Sequence, residues 1–158
     1  RTAGINPIIL SDSITGEARE VAKVFAALVK QIRKYHRPWK TPVALISGGE
    51  TPVTIHESSR RGRGGRNTEF LLALAIELAG KANIHALACD TDGVDGTENN
   101  AGAIIAPHSL QRATQQDLNP AALLAIHDAY VFFQQLDDLI VTGPTRTNVN
   151  DYRVILVL

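Results

Sequence analysis

The sequence predicts an α/β layered domain with a mixed, largely parallel sheet flanked by helices. Two observations carry this. Short apolar runs with strand character alternate with helical segments for much of the chain. Polar loops bearing glycine, aspartate and threonine follow several of the runs, as they do where a strand hands over to a helix. The 158 residues suit one domain of ordinary size, able to bury roughly 70% of the surface its unfolded chain exposes.

Pro7 to Leu10 has the look of a strand stopped by Ser11-Asp12-Ser13. A helix follows from about Gly16 to Tyr35, with Val21, Val24, Phe25, Leu28 and Ile32 at spacings of three and four on one face. Val43 to Ile46 reads as a buried strand running into Ser47-Gly48-Gly49-Glu50, and Pro52 to Ile55 is a second candidate behind that turn. The loop Arg60 to Arg66 leads to a helix from about Asn67 to Ala79, apolar nearly all round and so mostly buried, with Asn67 as N-cap and Gly80 as stop. Ile84 to Cys89 is a strand, and Ala101 to Ala106 fits either helix or strand. Short helices are expected near 110–116, 120–126 and 129–136, and strands at 139–141 and 154–158.

Lysine plus arginine and aspartate plus glutamate each number 16, so the net charge is zero and nothing points to nucleic acid or an anionic membrane as partner. No apolar run is long enough to span a bilayer. A single cysteine, Cys89, excludes an intrachain disulfide and suits a cytoplasmic location; behind an apolar strand it reads as a small buried residue. No two of the five histidines stand at helical i, i+4 spacing, which argues against a zinc site. The chain starts at Arg1 without an initiator methionine, so a fragment of a longer protein is expected.

The chemistry is expected in four loops. In Gly62-Arg63-Gly64-Gly65-Arg66-Asn67, glycines permit close backbone approach, the helix start offers unpaired N–H groups, and Arg66 offers a planar fork of donors. This describes an anion site, and equally a basic surface loop, since neither the Walker nor the dinucleotide glycine spacing is met. Asp90, Asp92 and Asp95 fall within six residues, suited to magnesium or substrate hydroxyls, or else to an ordinary Asp-Gly turn. Thr142 to Asp151 is dense in hydroxyls and amides that contact a ligand or satisfy their own backbone.

Taken in order, Ser47-Gly48-Gly49-Glu50-Thr51, the run Gly62 to Phe70, Thr91 to Gly96, and Thr142 to Asp151 resemble the MOFRL domain, the C-terminal domain of the type-2 glycerate kinases, which also carry the name hydroxypyruvate reductase. The resemblance runs from about Val43 to the end, and Pro7 to Arg37 looks like the strand and helix that precede the domain, giving one unit of a lead-in (1–42) and a MOFRL-like core (43–158). It implies phosphoryl transfer from ATP to D-glycerate, giving 2-phosphoglycerate, with Mg2+. It also implies a Rossmann-like N-terminal domain forming the other wall of the cleft, without which the chain should be inactive. Carried over by position, Arg66, Asp92 and Asp95 are implied as catalytic, and Asp90, Asp92 and Asp95 as magnesium ligands. Glu50, Gly64, Gly65, Asn67, Thr145, Asn148 and Asp151 are implied to bind substrate or nucleotide. Two positions depart from the family pattern: Arg146 stands where glycine is usual and Thr68 where glutamine is common. Arginine at 146 is strained if the site needs positive φ, and otherwise adds a phosphate contact. Two other functions stay open: an NAD(P)H-dependent hydroxypyruvate reductase domain, and a non-catalytic ligand-binding module.

Overall fold

The computed structural model describes residues 4–55 and 62–158. Six strands form one sheet in the order β1-β2-β6-β3-β4-β5. They are β1 (Asn6–Thr15), β2 (Val43–Glu50), β3 (Ile84–Asp90), β4 (Gly102–Ile105), β5 (Leu139–Ile140) and β6 (Asp151–Val157). The helices are α1 (Ala18–Tyr35), α2 (Arg66–Leu78), α3 (Ser109–Gln115), α4 (Pro120–Ala125) and α5 (Ala129–Gln135).

The sheet is mixed, as expected, but it is not largely parallel. Only β1 and β2, joined by the α1 crossover, run parallel; β2–β6, β6–β3, β3–β4 and β4–β5 are antiparallel. The reason lies at the C-terminus. The last strand returns from the 142–150 loop and inserts between β2 and β3, opposing both. Residues 6–42 are built into the same body, because β1 pairs along β2 and α1 packs on α2.

Alternation along the central strands places Val43 and Leu45, Ile84, Ala86 and Ala88, and Ile155 and Val157 in the core. Against them packs α2, with Phe70 to Ala75 and Leu78 buried, as its all-round apolar sequence requires. The other helices collect around α2. The buried face of α1 is rotated from the expected one. It consists of Ala18, Ala22, Phe25, Ala26, Val29 and Ile32, while Val24 is 69% exposed. The alanines on this face allow close approach to α2, and Phe25 meets Phe70 edge-on at 5.6 Å.

Other expectations shift at their ends. β1 continues through the polar Ser11 to Ser13, with register shifts that absorb the irregularity. Residues 52–55 form no strand, and 102–105 resolve as strand rather than helix. Asp151 opens β6 instead of closing a loop. α2 starts one residue earlier than expected, with Gly65 rather than Asn67 at the N-cap, and ends at Ala79 in the left-handed conformation just before Gly80. Among the described residues no helix is long and apolar enough to cross a membrane.

Candidate active site

Three strands end at one edge of the sheet. β2 and β3 run toward it and β6 starts from it, so Glu50, Asp90 and Asp151 arrive together, with Asp90 and Asp151 paired in register. The first residue of α2, Arg66, reaches into this group. Its Nε donates to Asp151 Oδ1 at 2.8 Å, its Nη2 to Asp90 Oδ2 at 2.6 Å, and its Nη1 to Glu50 Oε1. Burial opposes the charge on Arg66, but Asp151 and Asp90 outweigh it and hold the guanidinium well above its ordinary range. It stays a cation under all working conditions.

The three partners differ in accessibility. The Asp151 and Asp90 side chains are 0% and 5% exposed, whereas that of Glu50 is 58% exposed. Two buried carboxylates therefore fix the guanidinium plane, and the third covers the edge that faces solvent. Beneath Asp151 lies a residue that the sequence did not suggest. Arg153 is 1% exposed; its Nη2 donates to Asp151 Oδ2 and to Thr51 Oγ1 (2.7 Å), and its guanidinium stacks over Phe70 at 5.2 Å. Burial pulls its pKa down, with Asp151 opposing.

Asp95 serves a different purpose from the one expected. It is buried, and its carboxylate caps α2: Oδ1 accepts from Asn67 N (2.9 Å) and Asn67 Nδ2, and Oδ2 from Thr68 N and the Thr68 hydroxyl (both 2.9 Å). Two of the helix-start N–H groups proposed for a ligand, those of Asn67 and Thr68, are thus already occupied. Gly65 permits this contact, because a Cβ there would sit 2.4 Å from Asp95 Oδ1. Burial raises the Asp95 pKa, against the pull of Asn67 and Thr68.

The trio Asp90, Asp92 and Asp95 does not gather around a common point. Asp90 is paired with Arg66 and accepts from Asp92 N, Asp92 Oδ1 accepts from Val94 N at 2.8 Å, and Asp95 holds α2. Among the described residues no three histidine, cysteine, aspartate or glutamate side chains are placed to hold a metal ion. The three carboxylates expected to hold magnesium are thus turned to separate partners rather than to one point.

Arg66, Gly64, Gly65 and Asp90 line a cavity of about 380 Å³, a volume typical of small-molecule sites. Pro52, Val53 and Val94 give it apolar walls, and Glu69 and His127 close its inner side. Glu69 and His127 went unnoticed in the sequence: Glu69 reads as one polar residue in an apolar helix, and His127 as an isolated histidine after a short one. Asn67 lies behind the wall, with Nδ2 donating to Asp151 Oδ1 at 2.8 Å. Thr145 and Asn148 lie in the neighbouring 142–150 loop. Thr145 binds Asp92 O and Thr91 O, and Asn148 Oδ1 accepts from Asn150 N, so this loop largely satisfies itself. Arg146 has φ 61°, the strained alternative of the two expected. Cys89 beside the cluster has its thiol pKa pushed up by burial and by Asp90, Asp151 and Asp95, which suppresses nucleophilic reactivity. Arg60 and Arg61, at the start of the expected glycine-arginine loop, lie outside the described residues.

The MOFRL family model matches residues 43–151, which include every strand-end residue of this cluster. The chain belongs to the MOFRL family. A protein of Agrobacterium vitis whose name proposes a hydroxypyruvate reductase is 49% identical over 98% of the chain and 35% of its own length. The D-glycerate 2-kinase of Thermotoga maritima is 36% identical over 98% of the chain and 36% of its own length. The crystal structure of glycerate kinase from Thermotoga maritima superposes with a TM-score of 0.93 at 36% identity, covering 99% of this chain and 37% of that one. This MOFRL chain thus spans little more than a third of the length of the relatives it matches, and glycerate kinases are among its homologues.

Proposed function

We propose that this MOFRL chain forms one wall of the active site of an ATP-dependent glycerate kinase, transferring the γ-phosphoryl group of Mg-ATP to D-glycerate and giving 2-phosphoglycerate. The observation that supports it most is Arg66: a permanent cation, oriented by two buried carboxylates, at the rim of a cavity with a glycine pair in its wall. Phosphoryl transfer depends on such positioning and charge neutralisation. Arg66 contacts the transferred phosphoryl group by exchanging exposed Glu50 for a phosphate oxygen, while Asp151 and Asp90 keep the guanidinium in plane. Gly64 and Gly65 let the ligand approach the backbone. Asp92, Thr145, Asn148 and Asn67 shape the loops that meet it, and Asp95 acts by holding the start of α2 rather than by touching substrate. Magnesium enters with ATP as part of the substrate. The opposing wall is a further domain, corresponding to the two thirds of each relative that this chain does not cover; alone, the chain is inactive.

A second reading, NAD(P)H-dependent reduction of hydroxypyruvate, is favoured by the name of the 49% identical relative. The full-length gene product, supplied with D-glycerate and Mg-ATP or with hydroxypyruvate and NADH, separates the two. Phosphoglycerate formation without NADH oxidation is the expected result. Turnover of the second pair alone would replace the kinase reading.

A further inference from the structure

The inner side of the cavity holds an ion cluster with no part in the scheme above. Glu69 is 2% exposed on α2, and its Oε1 is met by Arg19 Nε at 2.9 Å, by Arg19 Nη2, and by His127 Nδ1 at 3.1 Å. Arg19 Nη2 also donates to the Leu124 carbonyl at 3.0 Å and lies 2.9 Å from His127 Nδ1. Counting hydrogens assigns the tautomer. Nη2 carries two, directed to Glu69 Oε1 and Leu124 O, and a carboxylate oxygen only accepts, so the 3.1 Å contact of Nδ1 with Glu69 is a hydrogen bond in the tautomer that carries the proton on Nδ1. In the neutral ring, Nε2 is then an unprotonated acceptor, and among the described residues it has no hydrogen-bond partner. His127 and Glu69 both line the cavity that holds Arg66. The ring is mostly buried, and the backbone turns through the left-handed region at φ 56° just past α4, as helix ends commonly do.

Resting on the kinase reading, we propose that His127 is the general base that takes the proton of the attacking glycerate hydroxyl, with Glu69 as its positioning residue. As the hydroxyl oxygen forms its bond to the γ-phosphorus, the bond from that phosphorus to the bridging oxygen breaks. The electron pair leaves on ADP, and the hydroxyl proton ends on Nε2. Glu69 fixes the tautomer and stabilises the imidazolium as it forms, and Arg19 holds Glu69 in place, an arrangement of base and orienting carboxylate that recurs in enzymes. The charged groups around the ring are Arg19 from α1, Glu69 and Arg66 from α2, Asp90 from β3, and the neighbouring Asp128.

The test is steady-state kinetics of the full-length protein against pH. His127→Asn keeps an N–H donor for Glu69 but lacks Nε2. It should lower kcat about 100-fold, the lower end of general-base contributions, abolish the acidic limb of the kcat profile, and leave KM for Mg-ATP within about twofold. Glu69→Gln should lower kcat about tenfold and move that limb without removing it. Added imidazole should partly rescue His127→Ala, and thermal unfolding of each variant confirms that it is folded. A His127→Asn enzyme with kcat within about threefold of wild type, or with the acidic limb intact, would overturn the proposal while leaving the kinase reading in place. A wild-type protein that forms no phosphoglycerate would overturn both.

Discussion

Two ion clusters flank the first turn of α2, and they are mirror images. At the strand ends, one cation, Arg66, is gripped by three carboxylates; three residues along, one carboxylate, Glu69, is gripped by an arginine and a histidine. Asp151, a buried anion of the first site, rests on a second arginine, Arg153, whereas Glu69 is met by one arginine, Arg19, among the described residues. The first cluster has an exposed member that a ligand can displace; in the second, Nε2 of the cavity-lining His127 is without a partner among the described residues. A helix start lodged between sheet edge and helical layer can therefore present a fixed positive charge and a proton acceptor to the same cavity.

The largest effect should come from the deeper arginine. Arg153→Met removes a 1% exposed guanidinium from Asp151, which keeps Arg66 and Asn67 on its other oxygen, and losing so deeply buried a partner costs about 3–5 kcal/mol. Arg19→Met should cost clearly less, about 1–3 kcal/mol, because that side chain is 26% exposed and His127 remains on Glu69. Urea unfolding of the two variants measures both, and equal costs would break the comparison.

Asp95 comes next. Asp95→Ala strips the cap from α2 and leaves buried N–H groups unpaired, for a loss of about 2–3 kcal/mol in the same unfolding measurement. Its pH dependence has a definite sign. The folded-state pKa lies above the ordinary value of 3.8, so the folded protein holds this proton more tightly than the unfolded chain. The contribution is fully present below 3.8 and declines as pH rises toward the folded value. The stability difference between wild type and Asp95→Asn should therefore shrink over that window, read from unfolding curves at successive pH values.

Glu50→Gln sharpens the account of the strand-end cluster. Freeing the exposed edge of Arg66 should tighten Mg-ATP binding about three- to tenfold by calorimetry, in line with the modest worth of an exposed ion pair; weaker binding would make Glu50 a ligand contact instead. The smallest effect is expected at Arg146. Its φ of 61° is a left-handed conformation that an L side chain occupies at a cost of about 1–2 kcal/mol, so Arg146→Gly should stabilise by about 1 kcal/mol, visible as a rise in Tm.

The two clusters were not equally legible in the sequence. Arg66, Glu50, Asp90 and Asp151 stand in polar loops or at strand ends, the first two beside glycines, where composition changes abruptly along the chain. Glu69, Arg19 and His127 come from helix surfaces and a short turn 50 to 108 residues apart, and nothing local marks them as partners. The sheet shows the same division. The β1-α1-β2 crossover is a local unit and reads as parallel, whereas the insertion of β6 between β2 and β3 depends on the pairing of distant strands. The rotated face of α1 has a simpler cause. Half of its inner positions, Ala18, Ala22 and Ala26, are alanines, which weigh little in a hydrophobic pattern yet bury completely.

The central claim is that Arg66 handles the transferred phosphoryl group, and isotope transfer tests it most directly. Full-length wild-type protein should move label from γ-labelled ATP to D-glycerate, and Arg66→Ala, once shown to be folded, should do so about 1,000-fold more slowly, as when a charge-stabilising arginine is lost from other phosphoryl-transfer sites. Label transfer by the variant within about threefold of wild type would contradict it.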